Sequence, residues 1–213
     1  MSEKRVYGRE PAPDLRDKKH KITRKRSQRR YKSWSTMGYH SDQGRTSSCV
    51  GHGWSHWLHA APIRQWMNPY GIYELAQYFD EWEGVGYQGT SVRGAAKVLS
   101  KLGAIGGYEW AWDAATVGTH ILEVGPVVIG VDWYEGMNNP DSYGYVRLTG
   151  RSLGGHCVLL SGYNGDRGMF KIKNSYGTSW GRKGYAYLAE ADLDRLLKAG
   201  GEACCGTEVK LVA

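Results

Sequence analysis

Residues 42–52 place a cysteine at the expected start of a helix, which is a favourable position for a nucleophile. Cys49 follows a polar turn rich in Gly and Ser, and apolar residues at helical spacing occupy positions 50–61. This pattern predicts a helix that begins at or next to the cysteine. Unpaired backbone N–H groups and the positive end of the helix dipole favour a thiolate there. Gln43, six residues before Cys49, carries a side-chain amide that can donate a hydrogen bond to a developing oxyanion.

Two later segments offer a base and a residue to orient it. His156 precedes the apolar run 157–160, and Asn174 lies in a polar turn after residues 170–172. A cysteine, a histidine and an asparagine from distant segments suit a nucleophile, its general base and the group that orients the imidazole. A small buried thiol, a satisfied core histidine and an ordinary turn asparagine are the structural alternatives. The joint occurrence of the three residues favours the catalytic interpretation.

The length and composition of the chain limit the classes of protein to which it can belong. The chain has 213 residues and a formal net charge of +7, and this length suffices for one large domain or two small lobes with a buried core. No apolar stretch is long enough to span a membrane, and no apolar run follows the first residues as in a secretory signal. The four cysteines lack the spacing of a disulfide framework. We therefore expect reduced thiols and a cytoplasmic protein.

The positive charge is concentrated near the N-terminus. Residues 1–35 contain 13 Lys/Arg against 4 Asp/Glu, a net of +9, whereas the remainder has 15 against 17, a net of −2. The dense basic block at 18–30 is typical of a solvated, self-repelling surface segment. It is also typical of an arm that contacts nucleic acid or an acidic partner. We expect a surface insertion, and both interpretations of its role stay open.

Helical patterns come first along the chain and strand patterns second. Periodic apolar residues predict helices at 49–61, 70–79, 91–103, 116–124 and 191–199. Short β-branched or aromatic runs bounded by Gly and Asn predict antiparallel strands at 127–131, 156–161, 168–173, 184–188 and 207–212. This order is typical of the α+β class.

The same patterns predict the domain organisation. We expect a basic N-terminal arm over residues 1–33, a helical lobe over 34–113 and a β-rich lobe over 114–213. The helical lobe carries the cysteine, and the β-rich lobe carries the histidine and the asparagine. A cleft between two lobes is a usual place for chemistry, so the site is expected there.

At these residues the sequence resembles the papain-like cysteine peptidases, over roughly residues 11–213. Gln43 and Cys49 stand at the spacing of the family's oxyanion donor and nucleophile, and His156 follows small residues as the family's base does. Residues 173–181 read Lys-Asn-Ser-Tyr-Gly-Thr-Ser-Trp-Gly, which differs from the family's asparagine motif by a tyrosine in place of a tryptophan. The resemblance implies a two-lobe papain-like fold whose second lobe is antiparallel and β-barrel-like. It also implies the catalytic set Cys49, His156, Asn174 and Gln43.

The resemblance implies an endopeptidase that hydrolyses peptide bonds through a thioester acyl-enzyme. Cys49 would attack the carbonyl carbon and His156 would protonate the leaving amine, while Gln43 and the Cys49 N–H would hold the oxyanion. We expect the resting pair of cysteine and histidine to be thiolate and imidazolium. No cofactor and no metal is expected.

Further site residues follow from the same resemblance. Gly89 is expected to pair with substrate backbone, and Gly130 and Cys157 are expected to line the pocket for the side chain two residues before the scissile bond. Tyr176 stands where the family has tryptophan, so it is expected to cover the histidine–asparagine contact and border the substrate. Trp180 is expected to be a structural residue beside that contact.

The N-terminal region and the size of the chain suggest how the protein is regulated and where it occurs. Residues 13–16 resemble the segment that opens the mature enzymes of the family, and few residues precede them. We therefore expect no inhibitory segment of the usual length and no zymogen control. The chain is expected to be an intracellular monomer of bacterial or phage origin that acts on polypeptides.

Other interpretations remain open. The basic block and Tyr176 are compatible with a catalytically decayed papain-like scaffold that serves as a polyanion-binding or virion structural protein. A complete triad could instead transfer the acyl group to an amine or cleave isopeptide bonds. Cys49, His52 and His56 share one helix face and could be considered metal ligands. For the adjacent Cys204 and Cys205, we expect packing or exposure without a function rather than metal binding or redox chemistry.

Overall fold

The computed structural model describes residues 5–23 and 26–209. The helices are α1 Cys49–His59, α2 Pro69–Ala76, α3 Val92–Lys101, α4 Ala114–Glu123, α5 Glu135–Asn138 and α6 Glu190–Lys198, with a 3-10 helix at Leu15–Lys19. The strands are β1 Tyr31–Ser33, β2 Gly107–Ala111, β3 Val127–Tyr134, β4 Ser152–Asn164, β5 Met169–Lys173, β6 Tyr185–Ala189 and β7 Glu202–Thr207. Within the described ranges, no helix is long and apolar enough to cross a membrane.

Most predicted elements occur close to their predicted positions. The helix α1 begins at Cys49, and Ser91 caps α3 by accepting a hydrogen bond from the Gly94 N–H at 2.8 Å. The strand predicted at 207–212 is displaced, because β7 covers Glu202–Thr207 and residues 208 and 209 are not in a strand. The rest of that prediction, residues 210–212, lies outside the described residues. The sequence of β7 is rich in small residues, and its extended conformation is stabilised by pairing with both β2 and β3. The short strands β1 and β2 were not predicted.

The strands form one antiparallel sheet in the order β2-β7-β3-β4-β5-β6, and β1 pairs with β4 outside this path. The end strands β2 and β6 are not paired with each other, so the sheet is open and not the barrel-like closure expected. The long strand β4 lies in the interior of the sheet, where Gly130 of β3 is opposite Cys157 and Val131 is opposite His156. The sheet therefore holds His156 on a rigid strand between β3 and β5.

Alternating side chains divide the core between the two faces of the sheet. Val128 and Leu159 pack with α1 and α3 on one face, whereas their neighbours Ile129 and Val158 join the cluster that includes α4 and α6. A Cβ on Gly53 of α1 would lie 2.7 Å from the sulfur of Cys157. The glycine therefore allows α1 to pack closely against β4, and this packing brings Cys49 to the backbone of Cys157, the residue after His156.

The N-terminal residues pack against this body. Ile22 is only 2% exposed, and its N–H donates to the Trp110 carbonyl of β2 at 2.8 Å. Arg93 of α3 forms a buried ion pair with Asp17. The expectation of a wholly solvated block at 18–30 is therefore wrong at Ile22, whose apolar side chain is buried although the lysines around it are exposed.

Candidate active site

Cys49 is the first residue of α1, and it is completely buried. Its sulfur accepts hydrogen bonds from the backbone N–H groups of Cys157, Gly8 and Val50. Burial raises the pKa of the thiol to about 11, although these donors act in the opposite direction. The bond from Cys157, the residue next to His156, shows that the helix start and strand β4 meet at the sulfur.

His156 and Asn174 form the second part of the site. The imidazole Nε2 lies 2.9 Å from the Asn174 Oδ1, which also accepts the Ser175 N–H at 2.8 Å. An amide oxygen can only accept, so Nε2 carries the proton and donates. The Nδ1 of His156 has no hydrogen-bond partner among residues 5–23 and 26–209. Asn174 thus fixes the tautomer in which Nδ1 is free to take a proton.

Burial affects the ionisation of both Cys49 and His156 in this form of the site. Burial lowers the pKa of His156 to about 4, while its bond to Asn174 raises it. Burial likewise raises the pKa of the Cys49 thiol. In this closed form, exclusion of water therefore opposes the expected thiolate–imidazolium pair, which stays a prediction for the open site.

Aromatic rings enclose the imidazole. Tyr176 stacks on His156 with centroids 4.9 Å apart, and Trp133 meets it edge-on at 4.8 Å. Trp180 packs edge-on against Tyr176 at 5.9 Å and donates its Nε1–H to the Asn138 carbonyl at 2.8 Å. The sequence interpretation named Tyr176 and Trp180 but missed Trp133 and Asn138. Trp133 is in β3, and an apolar strand residue carries no local signal of its role.

Gln43 is held with its amide nitrogen towards the cleft. Its Oε1 accepts the Ser175 hydroxyl at 2.6 Å, and its Nε2 donates to the Thr46 carbonyl at 2.9 Å and to the Val6 carbonyl at 3.2 Å. Ser175, which also contacts Asn174, was not identified from the sequence. A carbonyl oxygen of the chain therefore already occupies a place beside the predicted oxyanion donor.

Residues 5–10, named here the cleft segment, lie across the site. The Arg9 N–H donates to the Gly155 carbonyl at 2.9 Å on one side. On the other side, the Thr90 N–H donates to the Gly8 carbonyl at 2.9 Å and the Glu10 N–H donates to the Thr90 carbonyl at 3.0 Å. This pairing resembles the backbone pairing predicted for Gly89, but the pairing residue is Thr90.

The closest approach of the cleft segment is at Gly8. Its N–H donates to the sulfur of Cys49, and a Cβ at this position would lie 1.8 Å from the Ser47 carbonyl oxygen. Only glycine fits this position. The sequence did not indicate that residues 5–10 lie over the sulfur, and the expectation that no inhibitory segment of the usual length precedes Pro11 stays a prediction.

The predicted pocket residues Gly130 and Cys157 lie opposite each other on the paired strands β3 and β4. Gly130 borders the side chain of Arg9, since a Cβ there would lie 2.9 Å from the Arg9 Nε. The sulfur of Cys157 is buried against Gly53 of α1, and its part in a substrate pocket stays a prediction. Glu202 of β7, which the sequence interpretation missed, binds the guanidinium of Arg9 at 2.9 Å.

His52 and His56, two of the three histidines of α1, are arranged differently from the ligands of a metal site. His52 Nδ1 and His56 Nε2 lie 2.7 and 2.8 Å from the hydroxyl of Ser41. In the described part of the chain, no group of three or more His, Cys, Asp or Glu is placed to hold a metal ion.

Comparison with known proteins identifies relatives of this architecture. A family model described as papain family cysteine protease matches residues 106–204, which contain His156 and Asn174. "Cysteine proteinase 3" of Entamoeba histolytica is 30% identical over 148 residues, 64% of this chain and 47% of its own length. "Cathepsin B-like cysteine proteinase 5" of Caenorhabditis elegans is 34% identical over 97 residues, 45% of this chain and 25% of its own length. The matches thus span less than half the length of these curated relatives.

Solved structures share the fold over nearly the whole chain. Xylellain, a cysteine protease from Xylella fastidiosa, has a TM-score of 0.78 at 19% identity, covering 96% of each chain. Digestive procathepsin L 3 of the Tenebrio molitor larval midgut has a TM-score of 0.69 at 16% identity, covering 88% of this chain and 73% of its own. The family match over residues 106–204 and the shared fold show that the chain has a papain-like fold and resembles the papain-like cysteine peptidases.

Proposed function

We propose that the protein is a cysteine endopeptidase that hydrolyses peptide bonds through a thioester intermediate. The observation that carries this proposal is the convergence of α1 and β4. There, the sulfur of Cys49 accepts the N–H of the residue next to His156, and His156 is fixed by Asn174 with its Nδ1 free. A nucleophile, a base and the residue that orients the base thus occupy one place.

The proposed reaction uses the tautomer of His156 in which Nδ1 is free to accept a proton. The thiol proton moves to Nδ1 of His156 while the sulfur of Cys49 bonds to the substrate carbonyl carbon, and the oxygen becomes an anion held by the Gln43 amide. The imidazolium then gives its proton to the amide nitrogen as the C–N bond breaks, leaving a thioester. Water, deprotonated by the same imidazole, attacks the thioester, and the C–S bond breaks to release the acid and the thiol.

Turnover requires the cleft segment to leave the site. Cys49 and His156 are both 0% exposed beneath it, so no peptide reaches the sulfur in the closed form. Departure of the segment readmits water, which lowers the pKa of the thiol and raises the pKa of the imidazole towards their ordinary values. The closed form is therefore the inactive form of the proposed enzyme, and opening restores the conditions for an ion pair.

The proposal is tested by covalent labelling of a released variant, the full chain that carries Gly8→Ala and Arg9→Ala. A peptidyl epoxide that traps thiols should add once per molecule, and mass spectrometry should locate the adduct on Cys49. The labelling should disappear when His156→Ala is added. Absence of labelling and of peptide hydrolysis in the released variant contradicts the proposed function, and amide products formed with added amines would indicate acyl transfer in place of hydrolysis.

The catalytic set disfavours the decayed-scaffold alternative. Decay would be expected to leave at least one catalytic residue replaced or displaced, whereas Cys49, His156, Asn174 and Gln43 are all present with oriented side chains. Tyr176, the departure that motivated this alternative, is only 2% exposed and stacks on the imidazole. Tyrosine thus covers the histidine–asparagine bond in this chain.

A quantitative prediction concerns Gln43, measured in the released variant. Replacing Gln43 by alanine removes an oxyanion donor and should lower kcat by roughly 100- to 1000-fold. The loss should fall on kcat more than on KM, because the oxyanion forms only during reaction. Ser175→Ala, which removes only the hydroxyl that holds the Gln43 Oε1 at 2.6 Å, should cause a smaller loss. An unchanged kcat in Gln43→Ala would contradict the assigned role.

A further inference from the structure

A groove lined by tyrosines and cations crosses four strands of the sheet. The strand register places in one row Ser33 of β1, Gly162 of β4, Lys171 of β5 and Tyr187 of β6, all of which line the groove. Residues paired in this way present their side chains on the same face of a sheet. The lining includes none of the four residues of the catalytic set and none of the cleft segment. The groove is therefore a surface distinct from the proposed peptidase site.

Tyrosine is the commonest residue type in the lining of this groove. Tyr143 and Tyr31 are 70% and 62% exposed. The rings of Tyr145 and Tyr187 are neighbours, with centroids 5.8 Å apart. Exposed aromatic rings provide flat faces on which unpaired bases stack irrespective of their sequence.

The cations of the groove lack carboxylate partners. Arg167, Lys171 and Arg182 line it, and within the described residues none of their side chains forms an ion pair. The Lys171 Nζ lies 4.2 Å from the centroid of the Tyr185 ring and donates to the Ser33 hydroxyl at 3.4 Å. Burial lowers the pKa of Lys171. An anionic group bound beside this ammonium would supply the missing counter-charge.

The carboxylates around the groove do not cancel this charge. No Asp or Glu is among the described residues that line it. The carboxylates beside the lining already have partners: Asp166 with Arg30, Asp141 with Arg147 and Glu190 with the hydroxyl of Tyr163. The groove therefore presents a net positive charge to a ligand.

The positive surface continues beyond the groove. Tyr163 also lines a second cavity, whose wall contains Arg26, Arg29 and Arg30. The side chains of Arg29 and Arg30 are 55% and 72% exposed, although each lies near one carboxylate. A chain-like polyanion would thus meet cations in both cavities, one of which includes the end of the basic block at 18–30.

We propose that the groove binds single-stranded nucleic acid, with bases stacked on its exposed tyrosines and phosphates held by Arg167, Lys171 and Arg182. Alternating aromatic and cationic side chains suit this ligand, because its bases are free to stack and its backbone is anionic. The bases of a duplex are already stacked on each other, and an acidic polypeptide would use the cations only. The inference goes beyond the proposed peptidase function and does not depend on it.

The test measures binding of a fluorescent oligothymidylate of about 12 nucleotides to the full chain by fluorescence anisotropy. Replacing Tyr31 and Tyr143 together by alanine should weaken binding by about 10-fold or more, because two stacking faces are lost. Replacing Arg167 and Arg182 together by glutamine should weaken binding and lower the slope of log Kd against log salt concentration by about 1 to 2. The midpoint of thermal unfolding should not change in either variant, since these side chains are exposed.

Two variants outside the groove serve as matched controls. Tyr78→Ala removes a tyrosine that is 68% exposed, and Arg195→Gln removes a cation whose side chain is 68% exposed. Both should bind the oligonucleotide as the unmodified chain does.

The proposal is overturned if the unmodified chain does not bind the oligonucleotide, or if the tyrosine variant binds it with unchanged affinity. Equal affinity for the single strand and for a duplex of the same length also overturns it, because the tyrosines then add nothing. Polyglutamate of matched charge tests the remaining partner class. Binding of polyglutamate as tightly as the oligonucleotide would show an acidic polypeptide site in place of the proposed one.

Discussion

Replacing Cys49 by alanine in the released variant should reduce peptide hydrolysis by at least about 10 000-fold, the range found when a hydrolase loses its nucleophile. The variant removes one sulfur from a buried helix start and leaves Asn174, His156 and Gln43 in place. His156→Ala should cause a loss of the same order, because the sulfur without its base remains a neutral thiol. The double variant should be no worse than either single one, since the two residues act as a unit.

Cys205→Ala is the matched control for this measurement. Cys205 is also a buried thiol whose pKa burial raises, but it lies on β7 in the cluster around α4 and α6. Its removal should preserve hydrolysis. Retention of hydrolysis by Cys49→Ala, or an equal loss in Cys205→Ala, would show that the assignment of the nucleophile is wrong.

Release of the cleft segment should raise activity by roughly 100-fold relative to the unmodified chain. Arg9→Ala removes one partner of a buried ion pair, which destabilises the closed form by about 3 kcal/mol. Gly8→Ala adds a clash, because the new Cβ would lie 1.8 Å from the Ser47 carbonyl oxygen. Both changes act on the closed form, so the active population rises. Initial rates with a small peptide substrate measure the effect.

The control for release is Leu15→Ala, which lies in the same N-terminal region but is 81% exposed. It should leave the rate unchanged. Activity of the unmodified chain that equals that of the released variant would mean that residues 5–10 do not close the cleft in solution.

The same release should change the pH dependence of alkylation by iodoacetamide. In the closed form the pKa of Cys49 is raised to about 11 by burial, so the reactive thiolate appears only as pH approaches that value. In the released variant, water and the imidazolium stabilise the thiolate, so alkylation at pH 6–7 should be much faster. Rates that rise with pH in the same way for both proteins would count against the closure.

Local sequence determines several parts of this protein. A polar turn followed by helical apolar spacing predicts that a helix starts at Cys49, and Ser91 predicts the start of α3, because capping and periodicity depend on neighbouring residues only. The order and spacing of the motifs, together with the family resemblance, also predict Gln43, His156 and Asn174 as site residues. Strand β7 shows the opposite case, since its small residues carry no local strand signal and it is held by pairing with β2 and β3.

Only the tertiary structure decides what fills the cleft. Residues 5–10 read as part of a basic, solvated arm, yet backbone pairing to Thr90 and Gly155 and the ion pair of Arg9 with Glu202 hold them over the sulfur. Those partners are separated by up to nearly the length of the chain, so no periodicity or motif can indicate them. The sequence determined which side chains could do the chemistry. Their ionisation was decided by burial under a distant segment, because desolvation depends on what excludes water and not on neighbouring residues.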